Sequence, residues 1–140
     1  MAESNVMDYV TILTAGNATD FGNLTAASHD LATACSIVRG LIFSGTGRST
    51  AIDYITIASA GNATDFGDHL SGNNPQYGHA FHNKTYAYYG RVSGNNYQEK
   101  HTIATAANAT AFEWRINPNT NYGASASDNA SIKGWIAASG

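Results

Sequence analysis

Apolar and polar residues alternate along this chain in runs of four to eight, and no stretch sustains the 3.6-residue apolar period of an amphipathic helix. In the best-defined region the runs are Leu31 to Ile37, Gly40 to Ser44, Ala51 to Ala58 and Thr64 to Leu70. Each reads as a short strand bounded by glycine and small polar residues. Along Ala51 to Ala58, Tyr54 and Thr56 point one way while Ile55 and Ile57 point the other. Both faces carry bulk, as expected of a sheet held between two neighbouring sheets. Gly61-Asn62 between the last two runs predicts a tight hairpin with positive φ.

This pattern repeats. Asp8-Tyr9-Val10-Thr11-Ile12 through Gly16-Asn17-Ala18-Thr19-Asp20-Phe21-Gly22 returns 45 residues later as Asp53 to Ile57 and Gly61 to Gly67. A third copy runs from His101-Thr102-Ile103 to Asn108-Ala109-Thr110-Ala111-Phe112, a further 46 residues on, without the first Asp, the turn Gly and the Asp before the Phe. The intervening segments match more loosely: Arg39 to Gly45 aligns with Lys84 to Gly90 and with Lys133 to Ser139, and Tyr77-Gly78 with Tyr122-Gly123. A period of 40–50 residues holding four strands is the signature of a β-propeller blade. The expected fold is therefore all-β, a propeller of four-stranded antiparallel blades.

Composition narrows the function classes. The chain has 140 residues, enough for one domain with its own core. Charged residues make up 12% and the formal net charge is −3, which gives no basic footprint for nucleic acid or a membrane surface. The sequence holds 14 Gly and 14 Asn, residues that build turns, beside 15 aromatics that favour strands. The single Cys35 cannot form an internal disulfide and reads as a small buried hydrophobe. No secretion signal or membrane-spanning run is evident, so the six Asn-X-Ser/Thr triplets read as turn chemistry.

The Arg-Gly-apolar strand ending in Gly, followed by Ile-Asp-Tyr-Ile-Thr-Ile-Ala and Gly-Asn-Ala-Thr-Asp-Phe-Gly-Asp, resembles the kelch-like repeats of marine bacteriophage tail and virion proteins, including those of cyanophages. The resemblance covers nearly the whole chain and is closest at residues 8–25 and 53–68. It departs from ordinary kelch units in a single glycine at Gly45 and Gly90, and in Phe21, Phe66 and Phe112 where a Trp is usual. It implies a kelch-like fold and a place in a virion. It carries over no specific kelch activity.

The phase of the repeat predicts how the blades are shared. Residues 7–24 supply the third and fourth strands of one blade, 31–69 and 77–114 are complete blades, and 122–139 supply first and second strands. The chain thus holds three blade-equivalents, below the four to eight of known propellers. Self-association is expected: a homodimer gives six blades with the terminal half-blades paired across chains, and a homotrimer gives nine.

No catalytic motif, cofactor-binding motif or zinc-type Cys spacing appears, so an enzyme is not expected. His79 and His82, three apart in a strand, point to opposite faces and read as strand residues, with no metal site assigned. Tyr86, Tyr88 and Tyr89 read as packing. The connections that diverge between repeats carry amides and flat aromatics suited to a sugar or a protein surface. The candidate binding residues are Asn73, Asn74, Tyr77, Asn96, Tyr97, Trp114, Arg115 and Tyr122. Two functions fit this pattern: a non-enzymatic virion module that binds virion proteins or a surface glycan, and a free-standing lectin-like propeller whose repeated sites give avidity.

Overall fold

The computed structural model describes residues 3–45, 50–70, 78–90 and 98–112, with the backbone of strands at 122–127 and 134–139. The chain is all-β, and its sheets are antiparallel. Strands β1 (Ser4–Tyr9) and β2 (Thr19–Ser28) form a two-stranded sheet. β3 (Ala32–Cys35), β4 (Arg39–Phe43), β5 (Ala51–Thr56) and β6 (Thr64–Asp68) form a four-stranded sheet in chain order. β7 (His79–His82), β8 (Tyr86–Gly90), β9 (Gln98–Thr102) and β10 (Thr110–Phe112) form a second one. β11 (Tyr122–Ser127) and β12 (Gly134–Ser139) close the chain as another pair.

The register corrects one alignment read from sequence. Arg39 faces Thr56 across β4–β5, and Tyr86 faces Thr102 across β8–β9. The repeat over the first two strands therefore runs at 47 residues, pairing Arg39 with Tyr86 and not with Lys84. Turn chemistry agrees. Ser36 Oγ accepts from the Val38 and Arg39 amides, and Asn83 Oδ1 accepts from those of Thr85 and Tyr86. The side-chain contacts are exchanged in kind: Arg39 lies over the Tyr54 ring at 4.2 Å, and Lys100 lies over Tyr86 at 4.9 Å. The cation and the ring have swapped strands while the pair is kept.

The Gly-Asn-Ala-Thr segment is not a tight hairpin. β5 and β6 are joined by residues 57–63, and among described residues positive φ occurs at Asp30, Gly22 and Gly67 only. The segment instead reaches to the preceding sheet. Asn62 Oδ1 accepts from the Asn23 amide at 3.0 Å, and one repeat on Asn108 Oδ1 accepts from Asp68 at 3.1 Å. Backbone bonds Gly61 N–H to Phe21 O, Ala63 N–H to Asn23 O and Ala109 N–H to Asp68 O complete the seam. Repetition at these residues thus records how sheets join, more than how strands turn.

Bulges open the seam for an aromatic ring. Pairing slips by one residue between Ile52/Asp53 and their partners, leaving Phe66 as the extra residue before Gly67, and between Met7/Asp8, leaving Phe21 before Gly22. Phe66 is 2% exposed and meets Tyr54 edge-on, while Phe21 meets Tyr9 in the same way. Leu41, Phe43, Ile52, Phe66, Ala87, Tyr89 and Ile103 form the continuous core between the two four-stranded sheets.

The first strands of successive sheets lie side by side, with β7 against both β3 and β11. Cys35 is exposed, contrary to the sequence reading. It shares a face of β3 with Thr33, while Ala32 and Ala34 take the buried face. Its Sγ lies 3.8 Å from His82 Nε2, the residue at the same register position of β7. Tyr89 is buried in the core, and Tyr88 stacks on Phe81 and abuts Phe112, so these two tyrosines pack as expected.

Candidate functional site

Both seams formed by the described four-stranded sheets carry a buried carboxylate on the third strand, one residue after Ile52 in β5 and one after Gln98 in β9. In the first seam Asp53, fully buried, accepts from the Thr25 amide at 2.9 Å and from Thr25 Oγ1 at 2.7 Å. In the second seam Glu99 holds the same place. Its Oε1 accepts from the Leu70 amide at 3.1 Å, and Leu70 lies 45 residues after Thr25. A carboxylate aimed at a backbone amide of the preceding sheet is thus a repeated clamp, with the charge-assisted strength of such bonds. The third repeat has kept its acid there as Glu.

The second seam adds two histidines. His69 Nδ1 lies 2.7 Å from Glu99 Oε2, and His101 Nε2 lies 3.5 Å from the same oxygen without hydrogen-bond geometry. Side-chain exposure is 2% for His69, 7% for Glu99 and 0% for His101. One ligand atom from each residue falls within 4.8 Å of the other two. Neither ring nitrogen of His101, nor Nε2 of His69, has a hydrogen-bond partner among the described residues. Phe43, Tyr89 and Phe66 wall the cluster with rings 4.5–6.1 Å from the imidazoles. Burial alone would raise the Glu99 carboxyl, but the two imidazoles beside it more than offset this and hold it below its ordinary value.

The chemistry available is that of a buried carboxylate beside two buried imidazoles. It can hold a proton or a cation. Of the residues singled out in sequence, Asn73, Asn74, Tyr77, Asn96, Tyr97, Trp114 and Arg115 lie outside the described residues. Tyr122 opens β11 opposite Ser139, with its backbone alone described. The His–Glu cluster escaped the sequence reading because its members sit 30 and 2 residues apart, far from any local metal motif. The signal was present in the repeat: Leu24, Asp53 and Ile55 of one seam become His69, Glu99 and His101 in the next.

His79, on β7, is a separate buried imidazole with neither nitrogen hydrogen-bonded among the described residues. Desolvation lowers its pKa from 6.5, so the unfolded chain takes up this proton first as pH falls. Stability should therefore drop below pH about 6.5, by about 1.4 kcal/mol per pH unit at most, until the folded imidazole also protonates. Thermal melts of wild type and His79→Leu between pH 7.5 and 5.5 check this: the variant should lose less midpoint across that window.

No protein-family model matches the chain, and no curated protein matches it. Among the described residues no helix is long and apolar enough to cross a membrane.

Proposed function

We propose that this chain is a non-enzymatic structural and binding module, a kelch-like β-propeller completed by a second copy of itself. The observation that carries this reading is one residue position followed through three units. Ile12, Ile57 and Ile103 are equivalent in the repeat, and they are 94%, 43% and 1% exposed. Among the described residues Ile103 packs after a four-stranded sheet, Ile57 after the two-stranded β1–β2 sheet, and Ile12 after none. Burial of this isoleucine tracks how much of a preceding sheet is present.

Beside Ile57 the preceding sheet has two strands among the described residues, where the sheet before Ile103 has four. A groove of about 420 Å³ lies there, lined by Tyr9, Phe21, Ile55 and Ile57 among others. At the equivalent place in the second seam Arg39, from the second strand of the preceding sheet, covers Tyr54 and donates from Nη1 to Ile103 O. Among the described residues the β1–β2 sheet pairs with no second strand, and β12, a second strand by its repeat position, pairs on one edge with β11. Pairing β12 of one copy with β1 of another supplies that strand and caps both open edges. Two copies then make six blades. Repeated sheet-to-sheet seams suit a mechanical and docking role, and the resemblance to phage virion repeats gives the setting as a tail, fibre or capsid surface.

The register of β4–β5 sets the test, since Phe43 faces Ile52 there, and Ala137 and Met7 hold those two places in β12 and β1. The double variant Met7→Cys/Ala137→Cys should form a disulfide-linked species of twice 14.7 kDa on mild oxidation. Native mass should also be twice the chain mass, and Ile12→Lys should reduce it to a single chain with the β-sheet circular dichroism retained. A compact wild-type monomer at high concentration, or no cross-link at that register, overturns the reading.

A further inference from the structure

The geometry points to a divalent transition-metal site inside the chain, formed by His69, Glu99 and His101 where the two four-stranded sheets meet. We propose that these side chains bind an ion of the zinc class and that the ion locks this seam. The site belongs to one chain, so it stands whether or not copies associate.

The two seams differ at the positions that flank the clamp carboxylate. In the first, the three positions are Leu24, Asp53 and Ile55, and the seam forms with one carboxylate clamping Thr25. The fold therefore needs no imidazole at either flanking position. In the second seam both flanking apolar residues are histidine, and the two rings converge on one oxygen of the clamp carboxylate. Apolar packing has been exchanged for buried nitrogens with no hydrogen-bond partner, an arrangement that costs stability unless something else satisfies them.

A cation seated between Glu99 Oε2, His69 Nδ1 and His101 Nε2 gives the unpartnered His101 Nε2 its partner. Two imidazoles and a carboxylate are a common protein ligand set for zinc, with metal–ligand distances near 2.0–2.2 Å. Ligand atoms on a tetrahedral ion then stand about 3.4 Å apart, between the 2.7 Å and 3.5 Å found from Glu99 Oε2 to the two nitrogens. Glu99 Oε1 remains on the Leu70 amide and His69 stays wedged against Tyr89, so the ligands are held by the seam itself. Nitrogen and carboxylate donors without thiolate favour zinc, cobalt or nickel over calcium or magnesium. A metal ion takes the neutral imidazole, so the His69 nitrogen that faces Glu99 must be free of its proton in the bound state.

The repeat supplies a variant designed to keep the fold. His69→Leu/His101→Ile restores the residues that the first seam uses, and should remain folded. Metal-free wild type should retain one ion per chain after Zn²⁺ loading and dialysis, measured by elemental analysis. Its thermal midpoint should rise by roughly 5–10 °C in excess Zn²⁺ and fall back with EDTA. Co²⁺ loading should give the visible d–d bands of a four- or five-coordinate site. The double variant should show none of the three while melting no lower than metal-free wild type. The proposal is overturned if wild type takes up no ion, or if the double variant binds Zn²⁺ and shifts as wild type does.

Discussion

Gly67→Ala is expected to cost roughly 3–5 kcal/mol, lowering the thermal midpoint by about 10 °C or more. Two costs combine at this position. Its φ is +137°, a backbone conformation that a residue with a Cβ rarely adopts. An added Cβ would also stand 2.6 Å from the carbonyl carbon and oxygen of Ala107 and 2.9 Å from Asn108 N. Those atoms are backbone of the next sheet, and the Asp68–Asn108 and Ala109–Asp68 bonds hold them in place. The methyl cannot be relieved by turning a side chain, so the seam itself must open. Gly61→Ala is the matching control, because Gly61 has open space around its Cβ position and no positive φ. It should be neutral or slightly stabilising through the unfolded state. Equal losses for the two variants, read by thermal or urea melts, would refute this account of the seam.

The contrast between these glycines also shows what a single sequence discloses. Both belong to the most closely repeated stretch, Gly61-Asn62-Ala63-Thr64-Asp65-Phe66-Gly67, and repetition alone marks them equally. Strand positions were legible because alternation is a local property, set by which side of a sheet meets water. The runs at Gly40 to Ser44 and Thr64 to Leu70 accordingly became β4, shifted back by one residue, and β6, shorter by two at its end. Non-local partners were not legible. Asn62 suits a turn by its chemistry, yet its amide oxygen is used 39 residues away, on Asn23. Cys35 sits in an apolar run, yet the exposed face of its strand claims it. His69 and Glu99 are 30 residues apart and meet only because consecutive sheets stack with a fixed offset. Aligning the repeats position by position, and asking where an apolar residue turns ionisable, would have exposed the cluster before any coordinates.

Asp53→Ala is expected to destabilise by roughly 2–4 kcal/mol, more than any surface carboxylate in the chain. The carboxylate is fully buried and spends its oxygens on the amide and hydroxyl of Thr25, in the preceding sheet. Removing it takes the charged acceptor from the Thr25 amide and hydroxyl and leaves a cavity where two sheets meet, so the lost charge-assisted bonds and the lost packing act in one direction. Asp53→Asn keeps the volume and one acceptor oxygen, so it should recover about half of the loss. The partner identifies the cause. Thr25→Val removes the hydroxyl and keeps the amide, and should cost about 1 kcal/mol in the wild-type background. The same change made in Asp53→Ala should cost much less, because the hydroxyl has already lost its acceptor. Urea unfolding of the four proteins gives the coupling energy directly, and it should approach 1 kcal/mol. Strict additivity would mean that Asp53 acts through burial alone, and that the repeated acid at Asp53 and Glu99 is not a clamp between sheets.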